Sequence, residues 1–346
     1  MIWEHKMLKT SDSLARRLVG SSIIYMRRFL FRILSVGPIP NHIAFILDGN
    51  RRYAKKWNIA EATGYRAVFL AVMCMLKYCY ELGVKYTTIY AFGYDNFKIR
   101  PEEVQYLMDL MLEKIEGLIK QESIVNEYGV RVHFVGDLKL LNERVRVAAE
   151  KAMQATVNNT NSTLLICVAY TSTDEILHAV QSSCLEKWNE IQELDANQAQ
   201  NGEITEEKQE LKHIIKLVDI ERHTYMGLAP DPDVLIRTSG ETRLSNFLLW
   251  QTTSCLLYSP KVLFPEIGLR HLVWAVLNFQ RLYPHSFGEG KEITAILPLL
   301  VFYMHFVLLF LRPVVATANH ISKSNDYDSK DDQSLFRYFN TSNDKV

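Results

Sequence analysis

Apolar residues along this chain come in two rhythms. Short, nearly continuous apolar or β-branched runs occur at His42–Leu47, Tyr86–Phe92, Val130–Val135, Leu164–Tyr170 and Val234–Ile236. Runs of this length without polar alternation are expected of strands covered on both faces. Between them the period lengthens. Phe69, Val72, Met73, Leu76 and Tyr80 recur at helical spacing, which predicts a helix over about Tyr65 to Leu82 with Gly83 as its stop. Pro101 followed by Glu102 and Glu103 reads as a second helix start, running to about Ile119, because proline fits the first turn and carboxylates suit the positive end of the dipole. Ser172-Thr173-Asp174-Glu175 has the form of a capping box ahead of Ile176 and Leu177. Strands alternating with helices imply an α/β fold, a parallel central sheet wrapped by helices. Glu186 to Lys212 is polar and reads as an exposed insertion, and no internal repeat is evident.

The two ends depart from this alternation. Residues 1–37 form a basic segment in which Leu14 to Val36 mixes Arg16, Arg17, Arg27, Arg28 and Arg32 with Leu, Ile, Tyr and Phe. Two readings stand for it: an amphipathic helix lying on an anionic membrane surface, or a helix packed on the domain. Ile293 to Leu311 carries no Asp, Glu, Lys or Arg and approaches the ~20 residues that a bilayer span requires. Pro298 and His305 count against a span, so 293–316 is either a membrane segment or a buried core helix. Residues 320–346 are polar, without an apolar period, and are expected to be a disordered tail.

Composition narrows the partners. The chain has 346 residues, 48% hydrophobic and 23% charged, enough for a full core. A formal net charge of zero provides no global field to recruit nucleic acid. The five cysteines are odd in number, scattered and free of any C-x-x-C pair, a pattern of neither a disulfide framework nor a zinc site. A reducing, cytosolic setting suits them.

The cationic groups matter locally instead. Pro230 to Gln251 reads PDPDVLIRTSGETRLSNFLLWQ. Arg237 and Arg243 offer planar, permanently charged forks suited to phosphate, Thr238, Ser239 and Ser245 add hydroxyls, and Gly240 permits close backbone approach. Far upstream, the first apolar run stops at Asp48-Gly49-Asn50-Arg51-Arg52-Tyr53. The carboxyl end of a strand in an open α/β sheet is where ligands bind, and Gly49 with the amides after it can approach a phosphate that Arg51 and Arg52 neutralise. Asp48, a carboxylate among cations, reads as a ligand for a hard ion such as Mg²⁺ bridged to phosphate oxygens. The plainer reading is a turn followed by a solvated basic face; the second cationic segment in the same chain favours the phosphate site.

HIAFILDGNRRYAKK, TIYAFGYDNFKIRPEEV and PDPDVLIRTSGETRLSNFLLWQ closely resemble the signature regions of cis-prenyltransferases, the family of undecaprenyl and dehydrodolichyl diphosphate synthases. The likeness runs in consistent order from about Ile39 to Arg281, with the eukaryotic dolichol-type and plant rubber-type members most similar. It implies a catalytic domain over 38–290 that condenses isopentenyl diphosphate with an allylic diphosphate such as farnesyl diphosphate, repeatedly and with cis geometry. By resemblance, Asp48 with Mg²⁺, Gly49, Asn50, Arg51 and Arg52 serve the allylic diphosphate. Arg237, Arg243 and Ser245 match the isopentenyl diphosphate site, Asn96 matches a positioning or proton-removing asparagine, and Tyr53 and Phe97 match aromatic positions flanking the substrates. The apolar bulk of the helices from Tyr65 and Pro101, including Met73, Met75, Leu76, Leu107, Met108, Leu110, Met111 and Leu112, becomes a candidate lining for an apolar tunnel that houses the growing chain. The endoplasmic reticulum membrane, with the catalytic domain facing the cytosol, is the implied location.

Departures limit the transfer. Gly93 stands where the family usually has serine, Tyr65 where it has histidine, Glu61 where bacterial members have arginine, and Leu256 where they have a glutamate metal ligand. Dolichol-type members share the last loss and work with a second, related subunit that supplies a C-terminal Arg-x-Gly; none follows Arg281 here. A heteromer is therefore expected. The alternative is a scaffold subunit with little turnover, against which the retention of Asp48, Asn96, Arg237 and Arg243 speaks. A nucleotide binder is disfavoured by the lack of a G-x-x-x-x-G-K-[ST] loop and of G-x-G-x-x-G after a strand.

Overall fold

The computed structural model describes residues 24–119, 123–201 and 215–287. The apolar stretch at 293–316, the tail at 320–346 and residues 1–23 lie outside them. The chain divides into two units, Met1–Ile39 with Gln280–Val346, and Pro40–Phe279. In the first, helix α1 (24–34) buries Leu30, Phe31 and Leu34 and exposes Arg28 and Arg32. The carbonyls at its end are not left bare: the Gln280 side-chain amide donates to Leu34 O at 2.7 Å and Pro38 O at 3.1 Å, satisfying acceptors that a helix terminus strands.

The second unit follows the order β1 (His42–Ile46), α2 (Asn50–Trp57), α3 (Glu61–Leu82), β2 (Tyr86–Gly93), α4 (Pro101–Leu118), α5 (Ile124–Glu127), β3 (Val130–Val135), α6 (Glu143–Ala155), β4 (Ser162–Tyr170), α7 (Ser172–Asn201), α8 (Leu217–His223), β5 (Val234–Arg237), β6 (Leu256–Tyr258) and α9, which begins at Leu269. The strands pair in parallel in the order β3-β4-β2-β1-β5-β6. Every residue of β1 is buried, as expected of a central strand covered on both faces. Its one polar member, His42, is held by Pro230 O at 2.6 Å from Nδ1 and by the Thr88 hydroxyl at 2.7 Å from Nε2. Burial pushes its pKa down to about 4, so the neutral imidazole donates through Nδ1 and accepts through Nε2.

From β1 the chain moves to β2, β3 and β4 on one side, and only much later returns to lay β5 on the other. Connections after β1 and β5 therefore leave in opposite directions, which opens a crevice beyond their carboxyl ends. One face of the sheet there is covered by a core containing Ala44, Ile46, Leu235, Tyr170, Phe247 and Leu248. The Phe247-Leu248 pair anchors the cationic segment: both side chains are fully buried, and the Phe247 ring stacks on Tyr90 at 4.5 Å.

The expected strands and the two helices from Tyr65 and Pro101 are present, with Gly83 as a left-handed cap at φ 96° and Pro101 in the first turn of α4. Three features were not read from the sequence. The capping box at Ser172 does not form; Thr171 caps α7 by accepting from Asp174 N at 3.2 Å, because the Ser172 hydroxyl and the Glu175 carboxylate bind elsewhere. The stretch expected as an insertion from Glu186 begins as the second half of α7, with residues 202–214 outside the described set. Strand β6 was not expected, since three residues are too few to display a period.

Candidate active site

Leu47 to Gly49 carry the chain from the end of β1 into α2. Gly49 holds φ 108°, and a Cβ placed on it would fall 2.5 Å from Ser239 Oγ and 2.9 Å from Leu263 Cδ2. Only glycine tolerates both the left-handed backbone and that approach. Arg237 closes β5, in register with Ile46, so the two strand ends deliver Asp48 and Arg237 side by side. Arg237 Nη2 donates to Asp48 Oδ2 at 2.7 Å, and Arg52 Nη2 donates to Oδ1 at 3.0 Å. The Thr238 hydroxyl donates to Asp48 O at 2.7 Å, tying the same two turns through the backbone.

The Arg237 side chain is 5% exposed and Asp48 22%. Burial opposes ionisation of Asp48, but hydrogen bonds and charge from Arg237 and Arg52 outweigh it and hold the carboxyl below its ordinary value. The other fork of Arg237 donates to Ser245 Oγ at 2.6 Å and Arg243 O at 2.5 Å. Glu241, which sequence reasoning did not single out, bridges the two remaining cations: Arg52 lies 3.3 Å from it and Arg243 pairs with it directly. Its signal was present in its place between Gly240 and Arg243. Arg52 and Arg243 are 49% and 63% exposed and present their charge to solvent.

Three polar atoms here are buried without a hydrogen-bond partner: Asn50 Oδ1, Ser239 Oγ and Arg237 Nε. Such groups are costly unless something meets them. With Arg51, Arg52, Arg237 and Arg243 set against Asp48 and Glu241, the crevice has excess positive charge and two spare donors, Ser239 Oγ and Arg237 Nε, the requirements of a polyanion site.

The remaining candidates border this cluster. Arg51 is exposed on α2, with its charge felt at the Tyr65 hydroxyl. Tyr53 is half-buried, its ring 6.3 Å from that of Trp57. Asn96 and Phe97 lie in a 3-10 turn (Tyr94–Lys98) beyond the end of β2, the neighbour of β1. Asn96 Oδ1 accepts from Gly93 N at 2.9 Å, and Phe97 meets Phe92 edge-on at 4.9 Å. Among the described residues no hydrogen bond or ion pair joins Asn96 to the Asp48 cluster, so the turn flanks the pocket without being wired into it.

A model of the prenyltransferase family described as undecaprenyl diphosphate synthase matches residues 46–286. The chain belongs to that family. The protein named dehydrodolichyl diphosphate synthase CPT3 of Solanum lycopersicum is 61% identical over 271 residues, covering 78% of this chain and 93% of the relative. The human protein named dehydrodolichyl diphosphate synthase complex subunit DHDDS is 41% identical over 254 residues, covering 73% of this chain and 71% of the relative. Among solved structures, lavandulyl diphosphate synthase from Lavandula x intermedia in complex with dimethylallyl diphosphate is similar at a TM-score of 0.59 and 26% identity, over 70% of this chain and 95% of that one.

Departures from the family pattern have local partners. A Cβ on Gly93 would fall 2.2 Å from Tyr90 Oη, so the tyrosine hydroxyl, donating to Tyr170 O at 3.2 Å, occupies the space a serine would need. Tyr65 donates to the buried Glu103 at 2.6 Å, and Glu61 accepts from Arg100 at 2.9 Å.

Proposed function

We propose that this member of the family elongates an allylic diphosphate of the farnesyl type by successive cis additions of isopentenyl units, making a long polyprenyl diphosphate of the kind that precedes dolichol. The observation that carries the reading is the 2.7 Å contact of Arg237 with Asp48 across the crevice between β1 and β5, flanked by two exposed arginines. Each step forms a carbon–carbon bond from the terminal alkene carbon of isopentenyl diphosphate to the allylic carbon. The allylic diphosphate leaves with the bonding pair, and a proton is then lost.

Arg51, Arg52 and the Gly49-Asn50 turn suit the leaving diphosphate, while Arg237, Arg243 and Ser245 suit the isopentenyl head group. Placement of both against one carboxylate brings the reacting ends together. Asn96 orients substrate; an amide is a poor base, so a diphosphate oxygen accepts the proton. Magnesium fits a site with one ionised carboxylate. Among the described residues no three His, Cys, Asp or Glu gather, so Asp48 would hold the ion while substrate phosphates and water fill its shell. When bound, the ion neutralises charge on the diphosphates.

The growing chain needs apolar cover. Met73, Met75, Leu76 and Met108 are buried, and α3 and α4 are joined at their polar rim by Tyr65–Glu103 and Tyr106–Ala62 O, a setting that suits a tunnel between them. The human relative's name as a complex subunit supports a heteromer in which a second, related subunit completes the metal and phosphate contacts, including an Arg-x-Gly. Location at the endoplasmic reticulum membrane, catalytic side to the cytosol, accords with such a product; carbonate extraction tests whether 293–316 anchors the chain.

The test is incubation of membranes from cells expressing the chain, with and without a candidate partner, with Mg²⁺, farnesyl diphosphate and labelled isopentenyl diphosphate, followed by product sizing. Long polyprenyl diphosphate is expected, and none from Asp48→Ala. Normal incorporation by that variant would overturn the reading.

A further inference from the structure

The loop that carries Ser245 is bent in a way its residues do not favour. Ser239, Ser245, Asn246 and Leu248 all have positive φ, at 74°, 51°, 56° and 49°, a region that non-glycine residues enter only when their surroundings force it. Around Asn246, a residue type that tolerates this region, the first turn of α7 holds the loop in place. A helix start leaves its leading N–H groups without partners inside the helix. Here Ser172 N donates to Asn246 O at 2.8 Å and Thr173 N donates to Asn246 Oδ1 at 3.1 Å. The Asn246 amide nitrogen returns a bond to Thr173 Oγ1 at 3.0 Å. On either side, the Ser172 hydroxyl accepts from Leu249 N at 2.9 Å, and the buried Glu175 carboxylate accepts from Gln251 Nε2 at 3.2 Å and Met226 N at 2.9 Å. The motif that resembles a self-capping box is thus spent on another segment.

What the latch holds is the geometry of the cation pocket. Ser245 Oγ and Arg243 O both accept from Arg237 Nη1, so the backbone around residue 245 decides how the Arg237 fork is turned and whether its other nitrogen meets Asp48. We infer that Asn246, clamped by Ser172 and Thr173, is a positioning residue that sets affinity for the isopentenyl diphosphate head group without touching it. This rests on the reading of Arg237, Arg243 and Ser245 as that head group's site.

Asn246→Gly keeps the left-handed backbone accessible and removes all the side-chain bonds to Thr173. Thr173→Val removes one hydroxyl at nearly constant volume, and Thr173→Ser restores it. In membranes containing the full chain, Asn246→Gly is expected to raise KM for isopentenyl diphosphate about tenfold or more and Thr173→Val about three- to tenfold, the effect of one or two lost hydrogen bonds. The KM for farnesyl diphosphate should stay within about twofold, and Thr173→Ser should match the wild type. Unchanged KM for isopentenyl diphosphate overturns the inference. So does a rise of both KM values together with a fall in melting temperature, which would mark a merely structural role. Calorimetric titration of the purified full chain with inorganic pyrophosphate and Mg²⁺ separates this from the reading beneath it. Weaker binding by Asn246→Gly upholds the latch even where turnover is absent and the proposed reaction fails, whereas binding equal to wild type overturns it.

Discussion

Asp48 and Arg237 support a quantitative test. Arg237 is almost fully buried, and Asp48 supplies its only carboxylate partner among the described residues. Asp48→Asn is nearly isosteric and keeps an oxygen that can accept one hydrogen bond, but it deletes the charge. Removing one member of a buried ion pair costs about 3–5 kcal/mol because the other charge is stranded. Here Asp48 is 22% exposed, so water recovers part of that, leaving about 2–3 kcal/mol. The half-exposed Arg52 contact adds ~0.5 kcal/mol at most. For a domain of this size the sum corresponds to a melting point lower by about 5–10 °C.

Arg237→Met should be costly for a different reason, the loss of donors to Ser245 and Arg243 O, worth about 1 kcal/mol each. Combined, the two substitutions leave no stranded cation, so the double variant should be more stable than the sum of the singles implies by about 2 kcal/mol. The assay is denaturation of the purified full chain for the wild type, both singles and the double, alongside labelled isopentenyl incorporation, which should be lost in all three variants. Additivity within ~0.5 kcal/mol, or an Asp48→Asn protein as stable as wild type, would refute the claim that these charges are coupled.

Gly93→Ser should lower stability by about 2 kcal/mol or more through the clash with Tyr90. Adding Tyr90→Phe should recover only part of it, because Tyr90 Cζ itself lies 2.8 Å from the new Cβ; thermal melts of the three variants decide this. Gly49→Ala forces a Cβ into Ser239 and Leu263 at positive φ and should cost about 1–3 kcal/mol with loss of incorporation; retention of full activity would show that the turn tolerates a side chain and refute the constraint. His42 imposes an acid limit. Burial pushes its folded pKa down to about 4, below the ordinary histidine value of 6.5, so the unfolded chain binds the extra proton first and stability falls as pH drops from about 6.5 towards 4, by about 2 kcal/mol at pH 5. Melts at pH 7.5 and 5.0 should show that loss in wild type and a smaller one in His42→Gln. The lowered pKa of Asp48 places its own contribution in a separate window, present above its unfolded value near 3.8 and lost below it, so it does not confound the comparison.

Much of this architecture was legible because its determinants are local. A strand such as β1, buried on both faces, must be apolar throughout, and HIAFI is; a helix ending at Gly83 needs a left-handed residue, and glycine stands there. The two halves of the pocket could likewise be read separately from Asp48-Gly49 and Arg237-Thr238. That they meet could not, since it follows from the chain laying β5 against β1 only after completing β2, β3 and β4. The same non-locality hid the roles of Ser172 and Thr173, whose pattern is satisfied equally by a cap within one helix and by a bond to a loop over seventy positions away. Glu241 was passed over because a carboxylate near arginines looks like surface charge until its partners are seen.

The departures from the family pattern bear on whether such a pocket still works. Here three of the four replaced positions, all but Leu256, have polar partners. Gly93 leaves room for a Tyr90 hydroxyl that donates to Tyr170 O. The Tyr65 hydroxyl donates a hydrogen bond to Glu103, which would otherwise be a buried carboxylate with only Arg100 Nη2 at 3.5 Å. Glu61 accepts from that same Arg100 nitrogen at 2.9 Å. The polar groups around these positions are therefore paired, and the Asp48–Arg237 contact stands beside them. On the proposed reading of the site, the effect expected is on recognition of the allylic diphosphate. Breaking the new pairing with Tyr65→Phe should strand Glu103 and raise KM for farnesyl diphosphate by about three- to tenfold, the effect of one lost charge-assisted bond, while KM for isopentenyl diphosphate holds. Equal shifts in both constants would place Tyr65 outside the allylic side and leave its bond to Glu103 a matter of helix packing alone.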